Sequence, residues 1–166
     1  MRKTVLCVAF AFFAVFSAYA QYDPPADFAA ELSSDGTSVK ITGYLGAKRI
    51  VRIPARIQNL PVTCIGQEAF VGDRLTGVTI PNSVTRIEWS AFADNDLTSI
   101  VIPASVTSIG EGAFALNKLT RITLPRNTVE IAQWAFIQNK LTSVNVPRSA
   151  VVSGQAFDDG VKVVRR

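Results

Sequence analysis

The pattern of apolar and polar positions repeats along the middle of the chain. Residues 75–96, 97–118 and 119–140 read LTGVTIPNSVTRIEWSAFADND, LTSIVIPASVTSIGEGAFALNK and LTRITLPRNTVEIAQWAFIQNK, with a period of 22 residues and no gap. A fixed period of ~20 to 50 residues is typical of a solenoid, in which each unit is one coil that buries its apolar side against its neighbours. The sequence therefore predicts a stack of coils, in which position 1 is the leucine that begins each unit.

The first third of each unit predicts a β-strand. Positions 4 and 6 are apolar and alternate with mostly small polar residues at positions 3 and 5, and position 7 is always proline, as in Val78, Ile80 and Pro81. Alternation of this kind indicates a strand with one side buried. Proline ends the strand because it has no amide hydrogen to donate.

The second half of each unit supplies further core residues. Isoleucine stands at position 13, and an Ala-Phe pair at positions 17 and 18 contributes Phe92, Phe114 and Phe136. We expect these rings to stack along the length of the core. Asparagine recurs at position 21, as in Asn95 and Asn117, where its side chain can bond backbone groups that a bend leaves unpaired.

Acidic residues near the end of one unit suit either an ion pair or a metal. Asp96 is expected to lie between cations of the neighbouring coils, Arg74 and Lys118. Asp94-Asn95-Asp96 is an alternative weak calcium site, but the next coil has Leu116 in place of Asp94, and a site built on repeats would recur.

The phrase LTSIVIPASVTSIGEGAFALNKLT, with its I-P, S-V-T-x-I-G and A-F motifs at fixed spacing, resembles the BspA-type (Treponema-type) leucine-rich repeat of surface and secreted proteins. The resemblance extends over about 110 residues. It implies a mostly β repeat solenoid, a leucine-rich-repeat-like right-handed coil with one continuous parallel sheet and an irregular convex side. It also implies attachment or host-protein binding rather than catalysis.

The flanks of the repeats complete the domain organisation. Residues 1–20 have a charged start, an apolar middle and a small-x-small end, which predicts a signal peptide cleaved after Ala20 and a secreted, periplasmic or cell-surface protein without a membrane span. An uncleaved anchor is the alternative. Residues 21–27 are predicted to be a linker, and 28–47 an N-terminal capping β-hairpin. The leucine-rich repeat solenoid, 48–166, divides into 48–74, 75–96, 97–118, 119–140 and 141–166.

Two irregular parts of the solenoid are candidate contact regions. The unit 48–74 carries five extra residues within 55–63, which form either a binding loop or a plain loop beside the cap. Residues 161–164 begin a further strand. Its edge is either protected by the charges of Arg165 and Arg166 or pairs with another molecule.

Composition excludes much of catalytic chemistry. The chain of 166 residues has a net charge of +4 and no histidine, and one cysteine, Cys64, remains after signal cleavage. His-based triads, Cys–His pairs and zinc sites are therefore excluded, and we expect neither an enzyme nor a cofactor. Cys64 is either a tolerated small residue or a partly exposed thiol. The 15 basic and 13 acidic residues that remain argue against nucleic acid as a partner.

The remaining function is binding, and the outward side of the strands is the expected surface. The candidate residues are Thr79, Ser99, Val101, Arg121, Thr123, Asn145, Arg126, Arg148, Trp89 and Trp134. The arginines form either a basic end suited to an acidic protein patch or a sulfated glycan, or a plain solvated face. The tryptophans either contact a partner or pack over a bend.

These features predict an adhesin-like protein that binds a host or neighbouring-cell protein, with extracellular-matrix and plasma proteins as examples. The alternative is a structural module that self-associates through its C-terminal edge.

Overall fold

Short strands dominate the architecture. The structure is a computed structural model that describes residues 22–126 and 130–166, so the predicted signal peptide at 1–20 lies outside the described residues. The one helix among the described residues is a single 3-10 turn, Pro25–Asp27. No described helix has the length and apolar character that crossing a membrane requires.

A hairpin covers the first coil. Strands β1 (Phe28–Leu32) and β2 (Val39–Tyr44) pair antiparallel. In the turn between them, the Asp35 carboxylate accepts hydrogen bonds from the Ser33 hydroxyl at 2.6 Å and the Thr37 N–H at 3.0 Å. The second strand then pairs in parallel with β5 (Leu60–Ile65) of the first coil. The capping hairpin expected from the sequence is therefore confirmed.

Each coil contributes two short strands. Those that precede the prolines are β3 (Ile50–Arg52), β6 (Gly77–Thr79), β8 (Ser99–Val101), β10 (Arg121–Thr123) and β12 (Ser143–Val146), followed by β14 (Lys162–Arg165) after the last coil. Those of the second half are β5, β7 (Arg86–Ile87), β9 (Ser108–Ile109), β11 (Glu130–Ile131) and β13 (Val151–Val152). An additional strand, β4 (Arg56–Ile57), pairs antiparallel with β5.

The second-half strands form the continuous parallel sheet. Its order is β2-β5-β7-β9-β11-β13, with one strand per coil. The solenoid and the parallel sheet implied by the sequence are thus confirmed. The strands that end at proline behave differently from that expectation, since they pair only two by two: β3 with β6, β8 with β10, and β12 with β14.

The third side of each coil, positions 15 to 20, is also bonded to the next coil. At the first junction the N–H groups of Glu68, Phe70 and Gly72 donate to carbonyls of the following coil at 2.9–3.1 Å. Positions 16 and 20 take a positive φ in coil after coil, for example +57° at Leu116 and +59° at Trp134. This backbone region costs a non-glycine residue about 1–2 kcal/mol.

A column of aromatic rings fills the core. Phe70, Phe92, Phe114 and Phe136 have no exposed surface. Their rings lie nearly parallel, with centroids 4.9, 5.2 and 5.3 Å apart along the stack. A tyrosine of the hairpin and a phenylalanine of the last coil extend the column at its two ends. The aromatic stack predicted from the repeat is confirmed.

A column of asparagines satisfies the backbone at the bend. The Asn117 amide nitrogen donates to the carbonyls of Phe92, Phe114 and Ala115 at 2.9, 3.3 and 3.1 Å. Its side-chain oxygen accepts the Leu97 N–H at 3.1 Å. The asparagines of the two neighbouring coils make the equivalent bonds. Each amide thereby joins one coil to the preceding coil.

The first coil has a carboxyl at this position. Asp73 is the equivalent of the asparagines, and burial raises the pKa of its carboxyl above the ordinary value. The physical cause is loss of hydration of the charged form. An aspartate also lacks the amide hydrogens that the other coils direct at backbone carbonyls.

The N-terminal segment is bound to the first coil. Asp23 is 5% exposed, and its carboxylate accepts hydrogen bonds from Lys48 Nζ and the Arg52 N–H, both at 2.6 Å. Burial raises the pKa of Asp23, but these bonds and the nearby positive charges outweigh it and hold the pKa below its ordinary value. The described part of the expected linker, 22–27, is thus docked rather than free.

Carboxylates also satisfy the later coils. The N–H groups of Gln138 and Asn139 donate to the Asp158 carboxylate at 2.7 and 3.0 Å, whereas in earlier coils the N–H at the position of Gln138 donates to a carbonyl of the next coil. Asp158 therefore caps the last junction.

Asp96 lies between two cations, as expected. Its two carboxylate oxygens contact Lys118 and Arg49, each at 2.6 Å. The second cation is Arg49 rather than the expected Arg74, because the Arg49 side chain crosses the coil junction and also donates to the Arg74 carbonyl. No group of three His, Cys, Asp or Glu side chains within 22–126 and 130–166 is placed to hold a metal ion.

The aromatic column predicts a large effect of truncation. We expect Phe114→Ala to lower the free energy of unfolding by ~3–5 kcal/mol, because the void lies between two fully packed rings. Urea denaturation followed by circular dichroism measures this. Leu116→Ala in the same coil is the control, since Leu116 is 51% exposed. A change below ~1 kcal/mol for Phe114→Ala would contradict the packing described.

The asparagine column predicts opposite effects of two exchanges. At neutral pH, Asp73→Asn should raise the free energy of unfolding by about 1 kcal/mol, and Asn117→Asp should lower it by about 2–3 kcal/mol. A carboxyl with a raised folded-state pKa contributes stability below its unfolded pKa and loses it as pH rises through the folded pKa. The Asp73→Asn gain should therefore shrink as pH falls toward 3.8, the ordinary pKa of an aspartate carboxyl. An unchanged difference between pH 7 and pH 3 would count against this assignment.

Candidate binding surface

The strand side of the solenoid brings most of the predicted residues together. Positions 3 and 5 of strands β6, β8, β10 and β12 point outward, because the residues between them point into the core. Six predicted residues lie on this side, and all six are exposed: Thr79, Ser99, Val101, Arg121, Thr123 and Asn145. The side therefore offers hydroxyl, amide and guanidinium groups on short or outward-pointing side chains.

Hydrogen bonding between coils alternates along this side. The Ile53 N–H donates to Thr79 at 3.0 Å, and the Ile102 N–H donates to Thr123 at 2.9 Å. The corresponding donors at the intervening junctions, Ile80 and Leu124, make no such bond among the described residues. Neither β6 with β8 nor β10 with β12 forms a ladder. At these two junctions the strand side therefore contributes no backbone ladder among the described residues.

The core side chain at position 4 is more exposed at the same two junctions. At position 4, Val51, Ile100 and Val144 are at most 3% exposed, whereas Val78 and Ile122 are half-buried. These two residues belong to the strands that precede the unbonded junctions. Water therefore reaches the core side chain where the ladder is interrupted.

The second of these junctions forms a groove. It has a volume of about 430 Å³ and lies between β10 and β12. The lining residues are Thr120, Arg121, Ile122, Thr123, Leu124, Ser143 and Asn145. The groove thus combines an apolar floor with hydroxyl, amide and guanidinium groups at its rim, and three of the predicted residues line it.

Charge is segregated around the coil. All 13 acidic residues lie in the N-terminal segment, in the hairpin or at positions 12 to 22, and none occupies the first nine positions of any coil. On the strand side of the last coils stand Arg121, Arg126, Arg148 and Lys162, all exposed. None of these four cations forms an ion pair with the carboxylates of the described residues. Their positive charge is available to a partner.

The tryptophans lie elsewhere. Trp89 and Trp134 occupy positions 15 and 16, at the bend between the continuous sheet and the third side, and are 43% and 41% exposed. The structure does not bring them together with the strand-side residues. Each ring is therefore partly packed and partly exposed to solvent.

Two other candidates lie in the first coil, a cysteine and the inserted loop. Cys64 is 4% exposed, and burial, followed by the nearby Glu88 charge, raises the pKa of its thiol to about 11. The five-residue insertion folds as the β4–β5 hairpin, with Gln58 and Asn59 at positive φ in its turn and Ile57 buried. The hairpin turn is of the kind that matches strand twist.

Sequence reasoning missed part of the groove. Ile122 and Leu124 were expected to be ordinary core residues, and Lys162 was not singled out. The interrupted ladder has no signal in the repeat, since the strands on both sides follow the same pattern. The absence of acidic residues from positions 1 to 9 is readable in the sequence and does mark the strand side.

Comparison with known proteins identifies the repeat. A family model described as BspA type leucine rich repeat region matches residues 53–163 in six copies. The crystal structure of a T. pallidum leucine-rich repeat protein is similar, with 32% identity and a TM-score of 0.74, covering 82% of this chain and 67% of that chain.

Two further structures show more distant likeness. A leucine-rich repeat protein from Bacteroides capillosus has 21% identity and a TM-score of 0.48, covering 88% of this chain and 99% of that chain. A leucine-rich cell surface protein from Faecalibacterium prausnitzii has 20% identity and a TM-score of 0.46, covering 88% of this chain and 55% of that chain. No curated protein matches the chain. Because the family model matches more than half of the sequence, the chain belongs to the BspA-type leucine-rich repeat family.

Proposed function

We propose that this chain is a secreted or surface-displayed, adhesin-like protein that binds a host or neighbouring-cell protein and catalyses no reaction. Proteins of this repeat family are typically found at the cell surface and are generally non-enzymatic. The predicted signal peptide at 1–20 supports export. The binding surface of this proposal is the strand side.

The observation that carries the proposal is the chemistry of that side. Its outward residues are small or flexible, mostly hydroxyl and amide side chains, and no carboxylate is among them. A partner can approach such a surface closely and bond to it without burying an unpaired negative charge. Complementary charge would also speed association with an acidic partner.

The size of the surface sets the class of partner. Five coils at a spacing of ~4.8 Å extend about 20 Å along the stack, which suits one footprint of roughly 800 Å². A single protein domain or one extended segment fits these dimensions. Extracellular-matrix and plasma proteins are the first partners to test.

Paired substitutions in one coil test the strand side. Val101 is 65% exposed on β8, and Leu116 is 51% exposed on the third side. We expect Val101→Arg to weaken binding of a captured matrix or plasma protein at least tenfold, because a long charged side chain then stands in the contact area. Leu116→Arg should leave binding within a factor of about two. Biolayer interferometry with the signal-free chain measures both, and equal effects of the two variants would exclude the strand side.

Self-association is the second candidate, and one observation favours it. Val163 of β14 is 42% exposed, although it is in register with the buried Val144. The outer edge of β14 has no neighbouring strand among the described residues. A second copy could cover both the apolar side chain and the edge.

Light scattering decides between the candidates. If the edge drives assembly, the signal-free chain should form oligomers that dissociate when Val163→Lys is introduced. Monomers before and after the substitution would exclude assembly through β14. Circular dichroism confirms that the variant remains folded.

A further inference from the structure

The groove between β10 and β12 has features that point to one kind of ligand, and this inference rests on the proposed function. We propose that it binds an extended acidic segment of the protein partner, with a carboxylate at Arg121 and an adjacent apolar side chain over Ile122 and Leu124. The lining residues combine these two chemistries in one space of about 430 Å³.

Backbone direction supports a peptide ligand. The Thr123 carbonyl accepts the Ile102 N–H, so the peptide groups of Thr123 point toward β8. Peptide groups of successive residues in a strand point to opposite edges, so those of Ile122 point toward the groove. On the opposite wall, the carbonyls of Thr142 and Val146 accept hydrogen bonds from N–H groups of β14 and of the residue after it. The peptide groups of Ser143 and Asn145 therefore point the other way, toward the groove.

Charge supports an acidic ligand. Arg121 is exposed at the rim and has no carboxylate partner among the described residues. Arg121 is in register with Ser99, Ser143 holds the same repeat position in the next coil, and Lys162 is in register with Ser143. A carboxylate placed here would meet one guanidinium and several hydroxyls without facing an acidic side chain. Charge-assisted bonds of this kind are the stronger class of hydrogen bond.

The groove favours a peptide over a sulfated glycan. Arg121 is the one cation among the described residues that line the groove, whereas a sulfated chain carries charge on every repeat and calls for a denser basic array. No aromatic ring lies in the lining on which a sugar could stack. Ile122 and Leu124 supply an apolar floor that suits the methylene stem of glutamate or a neighbouring aliphatic side chain.

The groove would receive side chains rather than a whole inserted strand. Residues of β10 and β12 still lie within 8 Å of each other at their Cα atoms, while a strand between them would need two strand spacings, ~9.6 Å. The ligand therefore lies along or across the groove. Specificity comes from which side chains enter it.

Fluorescence anisotropy of the signal-free chain tests this assignment. The probe is a fluorescein-labelled peptide of alternating Glu and Val residues, compared with the same peptide carrying Gln in place of Glu. We expect the acidic peptide to bind more tightly than the neutral one. Arg121→Glu should weaken its binding by tenfold or more, since it replaces a charge-assisted bond with repulsion.

Matched variants separate the groove from general charge. Arg86→Glu makes the same charge change on the continuous sheet and should alter binding by less than about twofold. If Arg86→Glu weakens binding as much as Arg121→Glu does, the proposal is overturned. Ser143→Trp fills the groove without changing charge and should also weaken binding about tenfold. Ser34→Trp, in the exposed turn of the N-terminal hairpin, should not. Circular dichroism verifies that every variant is folded.

Further outcomes are distinguishable from failure of the proposed function. Equal binding of acidic and neutral peptides, or no binding of either, overturns the groove assignment. A heparin fragment that binds with Arg121 dependence while the acidic peptide does not assigns the groove to a sulfated glycan instead. If Val101→Arg abolishes capture of a protein partner while Arg121→Glu does not, the strand side binds protein and the groove inference alone is wrong.

Discussion

Hydrogen bonds from one coil to the next determine the shape of this molecule. A single coil pairs only some of its backbone groups internally, since its strands are two to four residues long after the first coil and form no hairpin. The next coil supplies the partners on the continuous sheet, along positions 15 to 20, and through the asparagine amides. Ring spacing of about 5 Å in the phenylalanine column matches the strand spacing that these bonds require. Packing and hydrogen bonding therefore demand the same distance between coils.

This double attachment explains why the strand side can differ from the other two. Two sides and the core already fix the stack, so the proline-terminated strands need not be bonded at every junction. Where they are not, the core residue at position 4 is half-buried and a groove opens, as between β10 and β12. The candidate binding surface is thus the side that contributes least to holding the coils together. Loss of its ladder costs little because the stability comes from elsewhere.

Much of the fold, and part of the candidate surface, could be predicted from the repeat. A period of 22 residues fixes which side chains form columns, so the rings of Phe92 and Phe114, the bend at Asn117 and the outward Thr79 were all predictable. Contacts that occur once could not be read from a period. Asp23 accepts the Arg52 N–H of the first coil, Asp158 accepts the Gln138 N–H of the fourth, and neither carboxylate recurs at the same place in the other coils.

The partly interrupted ladder was also beyond sequence reasoning. β6, β8, β10 and β12 have similar patterns, so nothing in one strand tells whether its neighbour is bonded. Such a difference depends on how small shifts accumulate along the stack. Likewise Arg49 replaced Arg74 beside Asp96, because a long side chain reaches across a junction that sequence position alone does not reveal.

The positive φ angles at positions 16 and 20 have a consequence for how a coil could exist. Glu68, Ser90 and Trp134 at position 16 hold a backbone conformation that isolated residues of their types avoid. The same is true of Leu116 at position 20. Without neighbouring coils, each of these residues would adopt a negative φ and the bend would be lost. Hydrogen bonds to an adjacent coil keep the bend in place, so a detached coil would lose its conformation. The repeats therefore fold as one cooperative unit, and no coil keeps its native conformation alone.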